Sequence, residues 1–147
     1  IHYNISHSGE WIVCVVDSSS VGIDIQEHRG AKNDLAKYYF SPREQNYLFS
    51  LEKDEQSVAF YDLWRMKEAY IKATGKGLSQ PLNEFSVAQE EEGFCSVVEK
   101  ERRYFLRQYK IENGYSLAVC SQTGWFCSDL RELTIEAILP AFKENRC

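Results

Sequence analysis

Three residues of this chain, Asp24, Glu68 and Lys72, have types and spacing that could do chemistry together. Glu68 and Lys72 lie in Trp64-Arg65-Met66-Lys67-Glu68-Ala69-Tyr70-Ile71-Lys72-Ala73-Thr74-Gly75. That run is rich in good helix formers and ends on a glycine stop. Trp64, Glu68 and Lys72 stand at i, i+4 and i+8, so they line one helix face. On spacing alone the plainer reading is a solvated face with a Glu-to-Lys pair, worth about 0.3–0.5 kcal/mol. Asp24 shifts the balance. Val21-Gly22-Ile23-Asp24-Ile25-Gln26 alternates with period two, as a half-buried strand does. Ile23 and Ile25 point one way, and Asp24 and Gln26 point the other. An acid among β-formers is unfavourable unless something pairs it. A hard cation such as Mg²⁺ would do so, since it is held by one or two carboxylates plus substrate phosphates. Asp24 and Glu68 supply two such ligands, and the Gln26 amide oxygen supplies or orients a third.

These side chains need a strand and a long helix to present them. The pattern predicts a strand at Trp11–Val16 and its partner strand at Val21–Gln26, joined by the turn Asp17-Ser18-Ser19-Ser20. Glu27–Asn33 is polar and reads as a loop, and Asp34–Phe40 as a short helix. Ser41-Pro42-Arg43-Glu44 combines an N-cap, Pro at the first helical position and Glu three residues on, which starts a helix running to Leu51. The long helix is expected from Glu55 to Thr74. Phe60, Leu63, Lys67 and Ile71 share a face of it, so the Lys67 stem can lie on apolar surface. Gly75–Asn83 is a loop, and its Gly-Lys-Gly lacks the spacing of a phosphate-binding P-loop. Phe85–Ala88, Phe94–Val98, Tyr104–Lys110 and Ser116–Ser121 read as strands. Glu90-Glu91-Glu92-Gly93 and Asn113-Gly114 form turns between them. The tail Trp125–Cys147 has helical character around Thr134–Leu139. The sum is α+β: an antiparallel sheet with a long packed helix.

Gly-Ile-Asp-Ile followed by Trp-x-x-Lys-Glu-Ala-x-x-Lys resembles the paired signature of the 4′-phosphopantetheinyl transferases. Asn4-Ile5-Ser6-His7-Ser8-Gly9 resembles a third motif of that family. The three occur in the order of its two-lobed, surfactin-type branch. The resemblance extends to Phe40-Ser41, Gly75–Ser79 and Phe85-Ser86-Val87, and covers residues 4 to about 121. It implies transfer of phosphopantetheine from coenzyme A to a serine of an acyl or peptidyl carrier protein, with release of 3′,5′-ADP. It implies Mg²⁺, with Mn²⁺ as the substitute ion, held by Asp24, Gln26 and Glu68. Glu68 would take the serine proton and Lys72 would offset charge on the phosphate. The coenzyme A contacts it implies are Asn4, Ser6, His7, Asp24, Lys67 and Lys72, with Ser6 and His7 on the 3′-phosphate. Lys67 keeps a second reading, as a packed helix cation. Trp64 supports the helix that aims Glu68. The branch often has Glu where this chain has Gln26, so either an amide or water joins the two carboxylates, or Gln26 only orients a metal-bound water.

By the same resemblance, residues 1–17 are the end of a first lobe and 18–147 a second lobe, the transferase domain. The chain then looks like the C-terminal portion of a longer protein. The expected partners are a carrier protein, and either the missing N-terminal lobe or a second copy. A coenzyme A or carrier-protein binder without turnover is the alternative. Composition narrows the field independently. With 147 residues, 44% hydrophobic and 27% charged, the chain can bury one ordinary core. A net charge of −5 with no basic stripe argues against nucleic acid as a partner. No apolar run approaches the length of a membrane span. Five cysteines, with no Cys-x-x-Cys pair, fit a reduced cytoplasmic protein better than a disulfide framework or a zinc site.

Overall fold

A computed structural model describes residues 1–30, 32–90 and 94–144. Five strands form an antiparallel sheet: β3 (Val21–Glu27), β4 (Ala88–Gln89), β5 (Cys95–Glu99), β6 (Arg102–Tyr109) and β7 (Tyr115–Ser121). Their spatial order is β3-β7-β6-β5-β4. Two earlier strands, β1 (His2–Ser8) and β2 (Trp11–Asp17), make a separate antiparallel hairpin. The expected pairing of Trp11–Val16 with Val21–Gln26 is therefore not formed: β2 pairs with β1 and β3 with β7, because β2 packs its apolar side chains on the face of β3 and does not lie beside it. Between β3 and β4 come α1 (Asn33–Tyr39), α2 (Pro42–Ser50) and the long α3 (Lys53–Thr74). A final helix, α4 (Ile135–Glu144), carries an internal proline, Pro140. The α+β class read from the sequence is the class observed.

Alternation on β3 and β7 divides two apolar layers between the faces of the sheet. One face lies under α3. There Ala118, Cys120 and Leu106 meet Met66, Ala69, Tyr70 and Ala73. The other face carries Ile23, Ile25, Leu117 and Val119, covered by Trp11, Val13 and Val15 of the hairpin. Full burial of side chains this size stabilises by about 1.5–3 kcal/mol each. The helix comes very close to β3. A Cβ built on Gly22 would stand 2.1 Å from the Ala69 carbonyl oxygen and 2.5 Å from the Ala73 nitrogen. Only glycine fits this crossing, and the close approach places Asp24 within reach of α3 side chains.

Local signals explain the helix ends. Ser41 accepts a hydrogen bond from the Glu44 backbone N–H, and the Glu44 carboxylate accepts one from the Ser41 N–H, closing a capping box ahead of Pro42. Gly75 ends α3 in the left-handed conformation at φ 70°, with its N–H bonded to the Ile71 carbonyl.

Two further expectations need correction. The strand expected at Phe85–Ala88 is only Ala88–Gln89. Side chains take the backbone groups that a strand would have used. The Phe85 carbonyl accepts from Lys67 Nζ at 2.6 Å, and the Val87 N–H donates to Glu44 Oε1 at 2.9 Å. Second, β1 was not anticipated as a strand. Its inward residues Asn4, Ser6 and Ser8 are polar and its outward Tyr3 and Ile5 are apolar, the reverse of the usual pattern. Of the turn expected at Glu90–Gly93, residues Glu91, Glu92 and Gly93 lie outside the described residues.

Candidate active site

The inward side chains of β1 explain how Asp24 is set. β3 is an edge strand of the five-stranded sheet, so one row of its N–H groups has no strand to pair with. Asn4 Oδ1 accepts from the Ile23 N–H at 3.0 Å, Ser6 Oγ from Ile25 at 3.3 Å and Ser8 Oγ from Glu27 at 3.0 Å. Three short polar side chains at i, i+2 and i+4 thus take the place of a backbone ladder. Ser6 Oγ also donates to Asp24 Oδ1 at 3.0 Å.

Asp24 is 5% exposed and holds two cations. Lys72 Nζ donates to its Oδ1 at 2.6 Å and to the Ile23 carbonyl at 3.1 Å. Arg65 Nη1 donates to its Oδ2. Glu68 lies one turn before Lys72. Burial raises its pKa, Asp24 raises it further, and Arg65 and Lys72 oppose both. Two carboxylates and two cations therefore share one cluster. Glu68 has no hydrogen-bond or ion-pair partner among the described residues. Gln26 is next on the same face of β3 and donates from Nε2 to the Glu27 carbonyl at 3.0 Å.

Two predicted site residues are placed elsewhere. Lys67 is 0% exposed. Its ammonium is bound by Glu44 and the Phe85 carbonyl and lies 4.2 Å from the Phe85 ring centroid. Burial lowers its pKa and Glu44 opposes the shift. The packed-cation reading is the one this geometry matches, and it does not bring Lys67 to the cluster. His7 is exposed on the outer side of β1, opposite Ser6. Trp64 packs against the core, as its supporting role implies. It stacks on Phe60 at 5.7 Å and meets Tyr39 edge-on at 5.1 Å. Arg65 joins Glu68 and Lys72 at the cluster. Sequence reasoning missed it, although positions 65, 68 and 72 have ordinary helical spacing.

The loop after β3 is pinned to α3. Tyr61 Oη accepts from the Arg29 N–H at 2.9 Å and donates to the Gly30 carbonyl at 3.1 Å. His28 stacks on the Tyr61 ring at 4.8 Å and bonds Ser116 Oγ at 2.7 Å. Ser116 in turn donates to Asp62. A cleft of about 570 Å³ lies between α2, α3 and the β4–β6 side of the sheet. Its lining includes Leu51, Val58, Met66 and Val87 but none of Asp24, Glu68 and Lys72, so the charged cluster is a separate feature.

Among the described residues no three or more His, Cys, Asp or Glu side chains gather as a metal cluster. The donors present are two carboxylates and one amide oxygen. All are hard oxygen ligands of the kind Mg²⁺ takes, and the unpartnered Glu68 beside Asp24 suits a cation. The donor set fits, although Asp24 is already engaged.

The comparisons with known proteins bear on this arrangement. Residues 20–120 match the family model of the 4′-phosphopantetheinyl transferase superfamily. A Bacillus subtilis 4′-phosphopantetheinyl transferase is 44% identical over 141 residues, covering 95% of this chain and 63% of that protein. The 4′-phosphopantetheinyl transferase Sfp of Bacillus subtilis strain 168 is 40% identical over 140 residues, covering 94% of this chain and 62% of its own length. The chain thus spans a little over three fifths of these relatives. Among solved structures, a holo-(acyl-carrier-protein) synthase from Bacillus anthracis in complex with coenzyme A superposes with TM-score 0.60 at 20% identity, over 69% of this chain and 92% of that one. The Thermotoga maritima holo-[acyl-carrier-protein] synthase gives TM-score 0.57 at 16% identity, over 69% and 61%. The matched residues 20–120 contain β3 with Asp24 and α3 with Glu68 and Lys72, and by that match the chain belongs to the 4′-phosphopantetheinyl transferase superfamily.

Proposed function

We propose that this chain carries the transfer site for moving phosphopantetheine from coenzyme A to a serine of an acyl or peptidyl carrier protein. The observation that carries this reading is the meeting of Asp24, Glu68 and Lys72, inside the span matched by the family model. The serine oxygen forms a bond to the phosphorus next to pantetheine. The bond from that phosphorus to the bridging oxygen breaks, and 3′,5′-ADP leaves with the electron pair. The serine proton goes to Glu68, whose raised pKa makes it a better proton acceptor than an ordinary carboxylate. Lys72 turns from Asp24 to the bridging oxygen and offsets the charge that develops there. Ser6 keeps Asp24 in place.

Asp24 and Glu68, with the Gln26 amide, would hold Mg²⁺ or Mn²⁺. Such an ion supplies charge neutralisation for the pyrophosphate. Exposed His7 would meet the 3′-phosphate of coenzyme A. Lys67 is left out of the site. Residues 1–17 are assigned to the end of a first lobe and 18–147 to the transferase lobe. The described free thiols of Cys14, Cys95, Cys120 and Cys127 support a cytoplasmic setting. No helix among the described residues is long and apolar enough to cross a membrane.

Mass spectrometry of an apo carrier protein, incubated with this chain, coenzyme A and Mg²⁺, tests the reading. The expected result is a mass gain equal to one phosphopantetheine on the carrier serine, and no gain would refute it. The hold of Arg65 and Lys72 on Asp24 favours a second reading, a coenzyme A or carrier-protein binder without turnover. Retention of coenzyme A on the chain with no mass gain would mark that outcome.

A further inference from the structure

Asp24 is assigned above to a divalent cation, yet both of its oxygens are already occupied by protein cations. Oδ1 holds Lys72 Nζ and the Ser6 hydroxyl, and Oδ2 holds Arg65 Nη1. The two cations differ. The Lys72 side chain is 28% exposed and can leave for a phosphate, whereas the Arg65 side chain is 10% exposed. The pairing of Arg65 is also incomplete. A guanidinium on a carboxylate commonly uses two parallel donors, but only Nη1 is engaged here. Its Nε is buried with no hydrogen-bond partner among the described residues. Glu68, one turn on, is the unpartnered carboxylate of the cluster. The local charge already sums to zero, from Asp24 and Glu68 against Arg65 and Lys72. A divalent ion would bring it to +2 and would need an Asp24 oxygen. At the third position Gln26 offers no charge to balance that excess.

We propose that Arg65 is a competing cation at this site: its guanidinium holds Asp24 Oδ2 against a divalent ion and its charge opposes that ion, so Arg65 sets the metal affinity of the cluster. The inference rests on the metal-holding role proposed for Asp24 and Glu68. It makes Arg65 a positioning residue with no direct part in the phosphate chemistry. Replacing it by a neutral side chain frees the Asp24 oxygen and lowers the local positive charge, and both favour metal.

Mn²⁺ is the probe. Its binding to the full chain is read by calorimetry and by loss of the free-ion electron paramagnetic resonance signal. Native protein, Arg65→Gln, Arg65→Lys and Glu68→Gln are compared at one pH and ionic strength. Release of one charge-assisted hydrogen bond predicts that Arg65→Gln tightens Mn²⁺ binding by about tenfold or more. Arg65→Lys, which keeps the charge, should stay near native affinity, and Glu68→Gln should weaken binding. Equal or weaker Mn²⁺ binding by Arg65→Gln, with binding still sensitive to Glu68→Gln, would overturn the role of Arg65 and leave the metal site standing. Absence of binding in every form would overturn the metal reading and this inference with it. Should Arg65→Gln fail to fold without metal, thermal melts with added Mn²⁺ decide. Recovery of a cooperative transition supports the competition, and no recovery overturns it.

Discussion

Asp24 and Glu68 are both carboxylates, but their surroundings differ. Asp24 is buried and bound by Ser6, Arg65 and Lys72, whereas Glu68 is half-buried with no bonded partner among the described residues. That difference suits one as a fixed anchor and the other as a proton acceptor. Asp24→Asn and Glu68→Gln should each reduce transfer by about 10³-fold, since charge stabilisation worth several kcal/mol is lost. Carrier-loading kinetics measure this, and circular dichroism checks that the fold survives. His28 gives a separate, pH-dependent prediction. Burial lowers its pKa from the ordinary 6.5, with the Arg65 charge adding to the shift and Asp62 opposing it. Because Ser116 donates to Asp62, His28 Nε2–H is the donor to Ser116. Just below pH 6.5 the unfolded chain therefore binds more protons than the folded one. Stability should fall as pH drops from 6.5 through the folded pKa, by less than about 1 kcal/mol for a half-buried group. His28→Gln should flatten that slope in denaturant melts measured between pH 7 and 5, ranges set by the ordinary histidine value.

At the scale of elements, the site depends on how closely α3 crosses β3. Gly22→Ala would push a methyl into the Ala69 carbonyl and the Ala73 nitrogen, both backbone atoms that cannot rotate away. Overpacking of this kind should cost about 3 kcal/mol. Transfer should fall as well, because Asp24 lies two residues along the displaced strand. Urea melts together with loading kinetics test both effects. The Lys67–Glu44 pair ties α3 to α2 and to the segment ahead of β4. Removing one partner leaves the other charge buried, so Lys67→Met should destabilise by about 3–5 kcal/mol. Adding Glu44→Gln should recover part of that loss. The folded Lys67→Met protein should keep its KM for coenzyme A. A raised KM at native stability would restore the phosphate contact that the buried geometry argues against.

Among the described residues, apolar side chains stand uncovered on two elements at the ends of the chain. One is the outer face of the hairpin, with Tyr3, Ile5, Ile12 and Val16, where Ile12 is 78% exposed. The other is the tail, with Leu130, Leu133, Ile135, Ile138 and Leu139. Contiguous exposed patches of this kind mark interaction surfaces. The chain should therefore associate through the hairpin face, with a further lobe or with a second copy. Sedimentation velocity should show a species heavier than 17.1 kDa. Ile5→Lys with Ile12→Lys should return it to a monomer without lowering its melting temperature, since both side chains already face solvent. A monomeric native chain would refute association with a second copy.

Most elements were legible in the sequence because their signals are local. Period-two alternation placed Asp24 on a strand face, the capping box began α2, and Gly75 ended α3. The motif resemblance also identified the family, because three short motifs stand together in the family's order. Tertiary structure decided what each side chain meets. Lys67 and Lys72 are both lysines of one helical run. The first turns into the core to Glu44, and the second turns to Asp24, on another face of α3. Asn4 and Ser6 read as ligand contacts, but they face the unpaired N–H row of β3, a need created only once that strand lies at a sheet edge. Arg65 belongs to no motif, and its role exists only because Gly22 lets α3 approach β3 closely enough for a guanidinium to reach Asp24. Propensity and periodicity act over a few residues, whereas these pairings join positions 18 to 48 apart in the chain, and only the folded packing brings them together.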